Sequence, residues 1–137
     1  MSKYPNKKLA KHKLVVKSNH LINASYQLTI PEMRLFLLMV AQIEPVDKDF
    51  KTYRVNIKDI AEQSGVQHKD LYSIVRESSR QLMSKIMELQ QEDGKLQIAF
   101  LSSARYFDGK GYVELRFDPG LKPYLLELKS RFTSYNI

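Results

Sequence analysis

The chain has 137 residues, 43% of them hydrophobic, with five glycines, five prolines and no cysteine. That length fits one compact domain, and the missing thiol excludes disulfides, thiolate zinc sites and a cysteine nucleophile, which points to a reducing, cytoplasmic compartment. The net charge of +7 is concentrated at one end, because Lys3, Lys7, Lys8, Lys11, Lys13 and Lys17 precede any acidic side chain; a basic arm on a nearly neutral body favours an anionic partner, nucleic acid first and a membrane surface second.

Residues 1–13 read as a flexible basic arm with little to bury, and residues 14–137 as one folded domain. The N-terminal lysines are not followed by an apolar run, so no signal peptide is expected. Leu14 to Lys17 suits a short edge strand, and Ser18 to Ala24 one or two helical turns. His20 has no Cys, His or carboxylate at ligand spacing, so no metal site is expected there.

Leu28 to Ile43 is the most apolar stretch. Thr29 and Glu32 have the spacing of a capping box, and Pro31 falls in the first turn, where its missing N–H costs nothing. From Leu35 the apolar residues go all the way round, which predicts a central helix covered on several sides. The run is well short of the ~18 apolar residues a membrane span needs.

Glu44 to Lys51 reads as a charged turn, and Thr52 to Asn56 alternates as a strand does. Ile57 to Arg76 then has the pattern of a helix-turn-helix: Ile60, Val66, Leu71 and Ile74 form a shared core, small Ala61 permits close approach, and Gly65 supplies the turn. The second helix is expected over Lys69 to Leu89, with Leu71, Val75, Leu82, Ile86 and Leu89 in one stripe. Lys69, Ser73, Arg76, Arg80 and Ser84 fall on the opposite side. Arginines one turn apart beside hydroxyls suit phosphate, since a guanidinium pairs with phosphate oxygens in a forked geometry.

Lys95 to Ser102 alternates with Leu96, Ile98 and Phe100 on one face, and Tyr112 to Phe117 with Val113, Leu115 and Phe117 inward. Asp108-Gly109-Lys110-Gly111 is a hairpin turn between them. A helix-turn-helix followed by such a hairpin is a winged helix, an α+β fold of about five helices around the apolar one, with Lys110 at the wing tip near Arg105. Asp118-Pro119 opens a short helix through Leu128. Arg131 to Ile137 alternates and stops on an apolar residue, as expected of a chain that continues into a longer protein.

The expected DNA-backbone contacts are therefore Lys69, Ser73, Arg76, Arg80 and Lys110. His12, His20 and His68 lie in different elements, and no nucleophile elbow or zinc-binding pair occurs. No catalytic residue, metal, cofactor or small-molecule substrate is expected.

Several blocks also resemble a family: Lys17-Ser-Asn-His-Leu-Ile-Asn-Ala, Tyr26-x-Leu28-Thr29-x-x-Glu32-x-Arg34-Leu35, the Ile57 to Val75 segment, and Phe117-Asp-Pro-Gly-Leu-Lys-Pro-Tyr-Leu-Leu-Glu-Leu with Phe132-Thr-Ser-Tyr. In this order they are similar to the N-terminal winged-helix domain of iteron-binding plasmid replication initiators. The resemblance implies a domain that contacts the phosphates of double-stranded DNA as a monomer and forms the subunit interface of an autorepressing homodimer; a sheet edge can continue into a second subunit, so Leu96, Ile98, Phe100, Val113 and Leu115 are the expected interface of that dimer. It also implies a second winged-helix domain, after Ile137, that reads the bases. Gln67 departs from the usual N-cap at the start of the second helix. A module that only dimerises, or a winged-helix transcriptional regulator, are the alternatives.

Overall fold

The computed structural model describes residues 20–21, 23–61, 68–126 and 129, with the backbone alone at 61 and 68–70. The expected arm, the Leu14 to Lys17 strand, the Gly65 turn and the Arg131 to Ile137 alternation lie outside these residues. The elements are α1 (Ile30–Val40), β1 (Tyr53–Asn56), α2 (Ile57–Ala61), α3 (His68–Ser84), β2 (Ile86–Gln91), β3 (Gly94–Ala99), β4 (Leu101–Tyr106) and β5 (Tyr112–Phe117).

The predicted capping box opens α1: the Glu32 N–H donates to Thr29 Oγ1 at 3.4 Å, and the Thr29 N–H donates to Glu32 Oε1 at 3.3 Å. These two bonds satisfy donors that the first helical turn leaves without intrahelical partners. Leu35, Phe36 and Met39 are buried. Phe36 stands edge-on to Phe100 and Phe117, with ring centroids 5.3 and 5.5 Å away, the arrangement the ring quadrupoles prefer. The expectation that α1 is covered on several sides fails: Ile30 is 82% and Leu37 54% exposed. Among the described residues the buried positions Glu32, Leu35, Phe36 and Met39 lie along one flank of α1, so its continuous apolar sequence exceeds the surface the described elements cover.

Strands β1, β5 and β4 form an antiparallel sheet with β5 in the centre, in the register Val55↔Val113 and Ala104↔Leu115. Alternation sends Tyr53, Val55, Val113, Leu115 and Phe117 into the core. β2 and β3 form a separate two-stranded hairpin.

This arrangement corrects two expectations. The second helix ends at Ser84 rather than Leu89. Met87 and Leu89 are buried and pair across from Ile98 and Leu96, while Ile86 is 54% exposed. A spacing of three between Ile86 and Leu89 imitates a helical stripe, but the residues that point inward follow a period of two. The expected Lys95 to Ser102 strand is also two strands, broken at fully buried Phe100. The Phe100 N–H donates to the Leu82 carbonyl at 3.0 Å and its carbonyl accepts from the Asp118 N–H at 3.2 Å. Its main chain thus turns away from a ladder to join α3 to the C-terminal turn. The wing is therefore β4 with β5.

At the end of β5, the Asp118 carboxylate accepts from the Gly120 N–H at 2.9 Å and caps a 3-10 turn, Pro119–Leu121, followed by helix over 122–126.

Candidate nucleic-acid interface

Within α3 the expected two faces are present. Leu71, Val75 and Leu82 are buried, and Ser79, also buried, donates its hydroxyl to the Val75 carbonyl at 2.8 Å. Ser73, Arg76, Arg80 and Ser84 are exposed. Spacings of three and four residues align Ser73, Arg76 and Arg80 along one side of the helix. Lys69 lies in the first turn of α3, with its side chain outside the described residues.

The wing is joined to this helix through tyrosines. Tyr106, at the end of β4, donates its hydroxyl to the Arg76 carbonyl at 3.3 Å, and its ring lies 5.9 Å from that of Tyr72. Burial pushes the Tyr106 hydroxyl pKa above its ordinary value, outweighing the Ser79 hydrogen bond and the charges of Arg76 and Arg80 nearby. Tyr106 is therefore a neutral strut beside the two arginines.

At the tip, Gly109 and Gly111 adopt φ of 73° and 74°, a region that side chains other than glycine's enter at a cost. The Lys110 N–H closes the turn on the Phe107 carbonyl at 3.2 Å, and the Ile57 N–H donates to the Gly111 carbonyl at 3.0 Å. That second bond fixes the tip against the start of α2. Lys110 consequently shares one cleft of about 540 Å3 with Lys58, Tyr72, Asn56, Ile57, Asp59 and Gly111. Tyr72 on α3 lines this cleft, so the tip and α3 border the same depression. Lys58 and Tyr72 were not singled out by the sequence. Nothing local distinguishes Lys58 from any lysine at a helix start, or Tyr72 from any tyrosine on the polar face of a helix.

The expected dimer residues separate into two groups. Phe100, Val113 and Leu115 are fully buried in the protomer's own core, and β5 is paired on both edges, so it has no edge to offer a second subunit. Leu96 and Ile98 are half-buried on β3, which among the described strands pairs only with β2. Among the described residues no three His, Asp or Glu side chains come together as metal ligands, and no helix is long and apolar enough to cross a membrane.

The family model described as Initiator Replication protein, WH1, matches residues 14–137. The chain belongs to this family. The WH1 domain is 26% identical over 130 residues to a replication initiation protein of Escherichia coli, an alignment covering 90% of this chain and 40% of the relative. The chain thus spans less than half the length of that curated relative. Among solved structures it is similar to the WH1 domain of MSBI1.176, a replication protein isolated from a multiple sclerosis patient. The identity is 28%, the TM-score 0.59, and the coverage 88% of this chain and 95% of that one. It also shares a fold with the Pi initiator protein, solved in complex with iteron DNA, at 20% identity and TM-score 0.63 over 80% of this chain and 47% of that one. The winged-helix fold expected from the sequence is the fold of this replication-initiator domain.

Proposed function

We propose that this WH1 domain serves plasmid replication initiation by contacting the phosphate backbone of double-stranded DNA at origin repeats or an operator, through Lys69, Ser73, Arg76, Arg80 and Lys110. The observation that carries the reading is the exposed Ser73, Arg76 and Arg80 row on α3, tied by Tyr72 and Tyr106 to a wing whose tip holds Lys110 beside Lys58. The iteron complex of the similarly folded Pi initiator supports it. The domain is a binding module rather than a catalyst and needs no cofactor. It works in the bacterial cytoplasm on plasmid DNA, and a second winged-helix domain after it reads the bases. It also pairs with a second copy through the β2–β3 hairpin, with Leu96 and Ile98 on β3 at the interface, because that hairpin has unpaired edges among the described strands.

If about four phosphates are neutralised, the slope of log affinity against log salt is near −3.6, and affinity falls roughly a hundredfold between 50 and 200 mM salt. Arg76→Ala with Arg80→Ala weakens binding to all duplexes alike and brings the slope toward −1.8. Fluorescence anisotropy over a salt series measures both. A double variant that binds duplex as tightly as the wild type would overturn the reading. A dimer that ignores duplex at low salt in sedimentation would instead favour a module that only dimerises.

A further inference from the structure

The outer face of the three-stranded sheet carries a second cluster of arginines. Arg54 on β1 and Arg105 on β4 both stand opposite Glu114 on the central strand, and Arg116 lies two residues along from Glu114. Residues directly opposite, or two apart on one strand, share a face, so three guanidinium groups surround one carboxylate. Each is held. Arg54 Nη2 lies 3.2 Å from Glu114 Oε1, and its guanidinium sits 3.9 Å from the Tyr112 ring centre. The Arg105 guanidinium lies 4.7 Å from the Phe107 ring centre, and Arg116 Nε donates to Thr52 Oγ1 at 3.0 Å. All three arginines are exposed.

We propose that this sheet face is a second phosphate-binding surface that extends the α3 and wing-tip contacts along duplex DNA. The inference rests on the DNA-binding reading above. One carboxylate among three guanidiniums leaves a net positive face, and strands about 4.8 Å apart spread it roughly 10 Å across. A duplex carries one negative charge per about 1.7 Å of its axis, enough to meet such a width with several phosphates. The face is continuous with the wing tip, since Arg105, Phe107 and Tyr112 flank Asp108–Gly111. Stacking on aromatic rings preorganises the guanidiniums, so less side-chain freedom is lost on binding. The same stacking covers one face of the Tyr112 and Phe107 rings, which argues against base stacking and for backbone contact. A second copy is a poor occupant, because a symmetric contact would set arginine against arginine.

The test uses the 137-residue chain, a mixed-sequence duplex, and a salt series. With up to three phosphates on this face added to the four above, the wild-type slope steepens from about −3.6 toward about −6.3, and the triple variant R54Q/R105Q/R116Q is expected to bring it back to about −3.6, that is 0.9 for each phosphate lost. Glu114→Gln is expected to tighten duplex binding severalfold, because it removes the one acid of the face. A structural role in cross-strand pairing would leave affinity unmoved by that change. If the triple variant keeps the wild-type slope while R76A/R80A loses it, the sheet inference falls and the helix reading stands. If neither set alters the slope, both fall. A face that takes polyglutamate without changing the duplex slope would also overturn it, in favour of an acidic protein. Should the triple variant fail to fold, Glu114→Gln decides alone, and unchanged affinity would sink the proposal.

Discussion

The two β-hairpins of the domain are built from strands of equal length, yet they are held in opposite ways. In β4–β5 the inward positions Leu101, Val113, Leu115 and Phe117 are all buried, β1 adds a third strand, and the tip is bonded to α2. In β2–β3 Met87 and Leu89 are buried, but most of β3 is exposed or half-exposed. Its root adds a polar hold to that burial. Lys85, just before β2, is ion-paired with buried Glu32 and donates to the Gln27 carbonyl at 2.9 Å, and Gln27 Nε2 donates to the Ile86 carbonyl at 3.2 Å. One hairpin is fixed by apolar burial and a third strand, the other by the burial of β2 and a polar clasp at one end. Burial is insensitive to pH; a clasp between charged groups is not.

The largest expected contrast is in truncation. Leu115→Ala on β5 should cost about 3 kcal/mol, within the range for a fully buried leucine, whereas half-buried Ile98→Ala on β3 should cost about 1. Urea denaturation of both variants checks this, and equal costs would break the distinction between the hairpins.

Next comes the clasp. Burial raises the Glu32 carboxyl pKa, but the hydrogen bonds from Lys85 and Thr29 and the charge of Lys85 together hold it below its ordinary 4.5. A depressed folded pKa means that the stabilisation is present above about 4.5 and is lost as pH falls through the folded value. Glu32→Gln should cost about 2 kcal/mol at neutral pH, because it leaves Lys85 without its charged partner. It should also flatten part of the acid limb of the stability curve. Among the described residues Asp47, held low by the Glu44 N–H and, against its own burial, by Lys51, and Asp49, held low by Lys122 and the Phe50 N–H, contribute to the same limb. Hydrogen exchange should show β2–β3 opening at acid pH before β4–β5.

Gly109→Ala should cost about 1 kcal/mol. Nothing lies within 4 Å of an added Cβ there, so the positive φ alone sets the effect. The smallest effect is expected at Ile86→Thr, within about 0.5 kcal/mol, since this side chain is 54% exposed on a strand. Had it stood in a buried helical stripe, truncation would cost several times as much.

Much of the domain was legible because its signals are local. The Thr29 capping box, the Asp118 N-cap and the glycine turn at 108–111 each depend on residues within three or four positions. The amphipathic face of α3 from Ser73 to Ser84 depends on helical spacing alone. The structure has each of these features and the winged-helix plan they imply. The errors fall where alternative periods fit the same residues. Ile86 and Leu89 satisfy a helix as well as a strand, and Leu96, Ile98 and Phe100 alternate up to a residue whose main chain bonds to Leu82 and Asp118 instead of a ladder. The arginines of the outer sheet lie on three strands and could be grouped only after the register was known.

The sequence by itself determined where helices start, where the tip turns and the winged-helix plan, since caps, turns and periodicity act over one turn of chain; the initiator family came from the resemblance of its blocks. Tertiary structure decided where α3 stops, which strands pair, how much of the apolar α1 is covered, and which basic side chains share a surface. Those outcomes depend on groups distant in sequence, such as Glu32 with Lys85 or Arg54 with Glu114, whose free energy of contact exists only once the elements have packed.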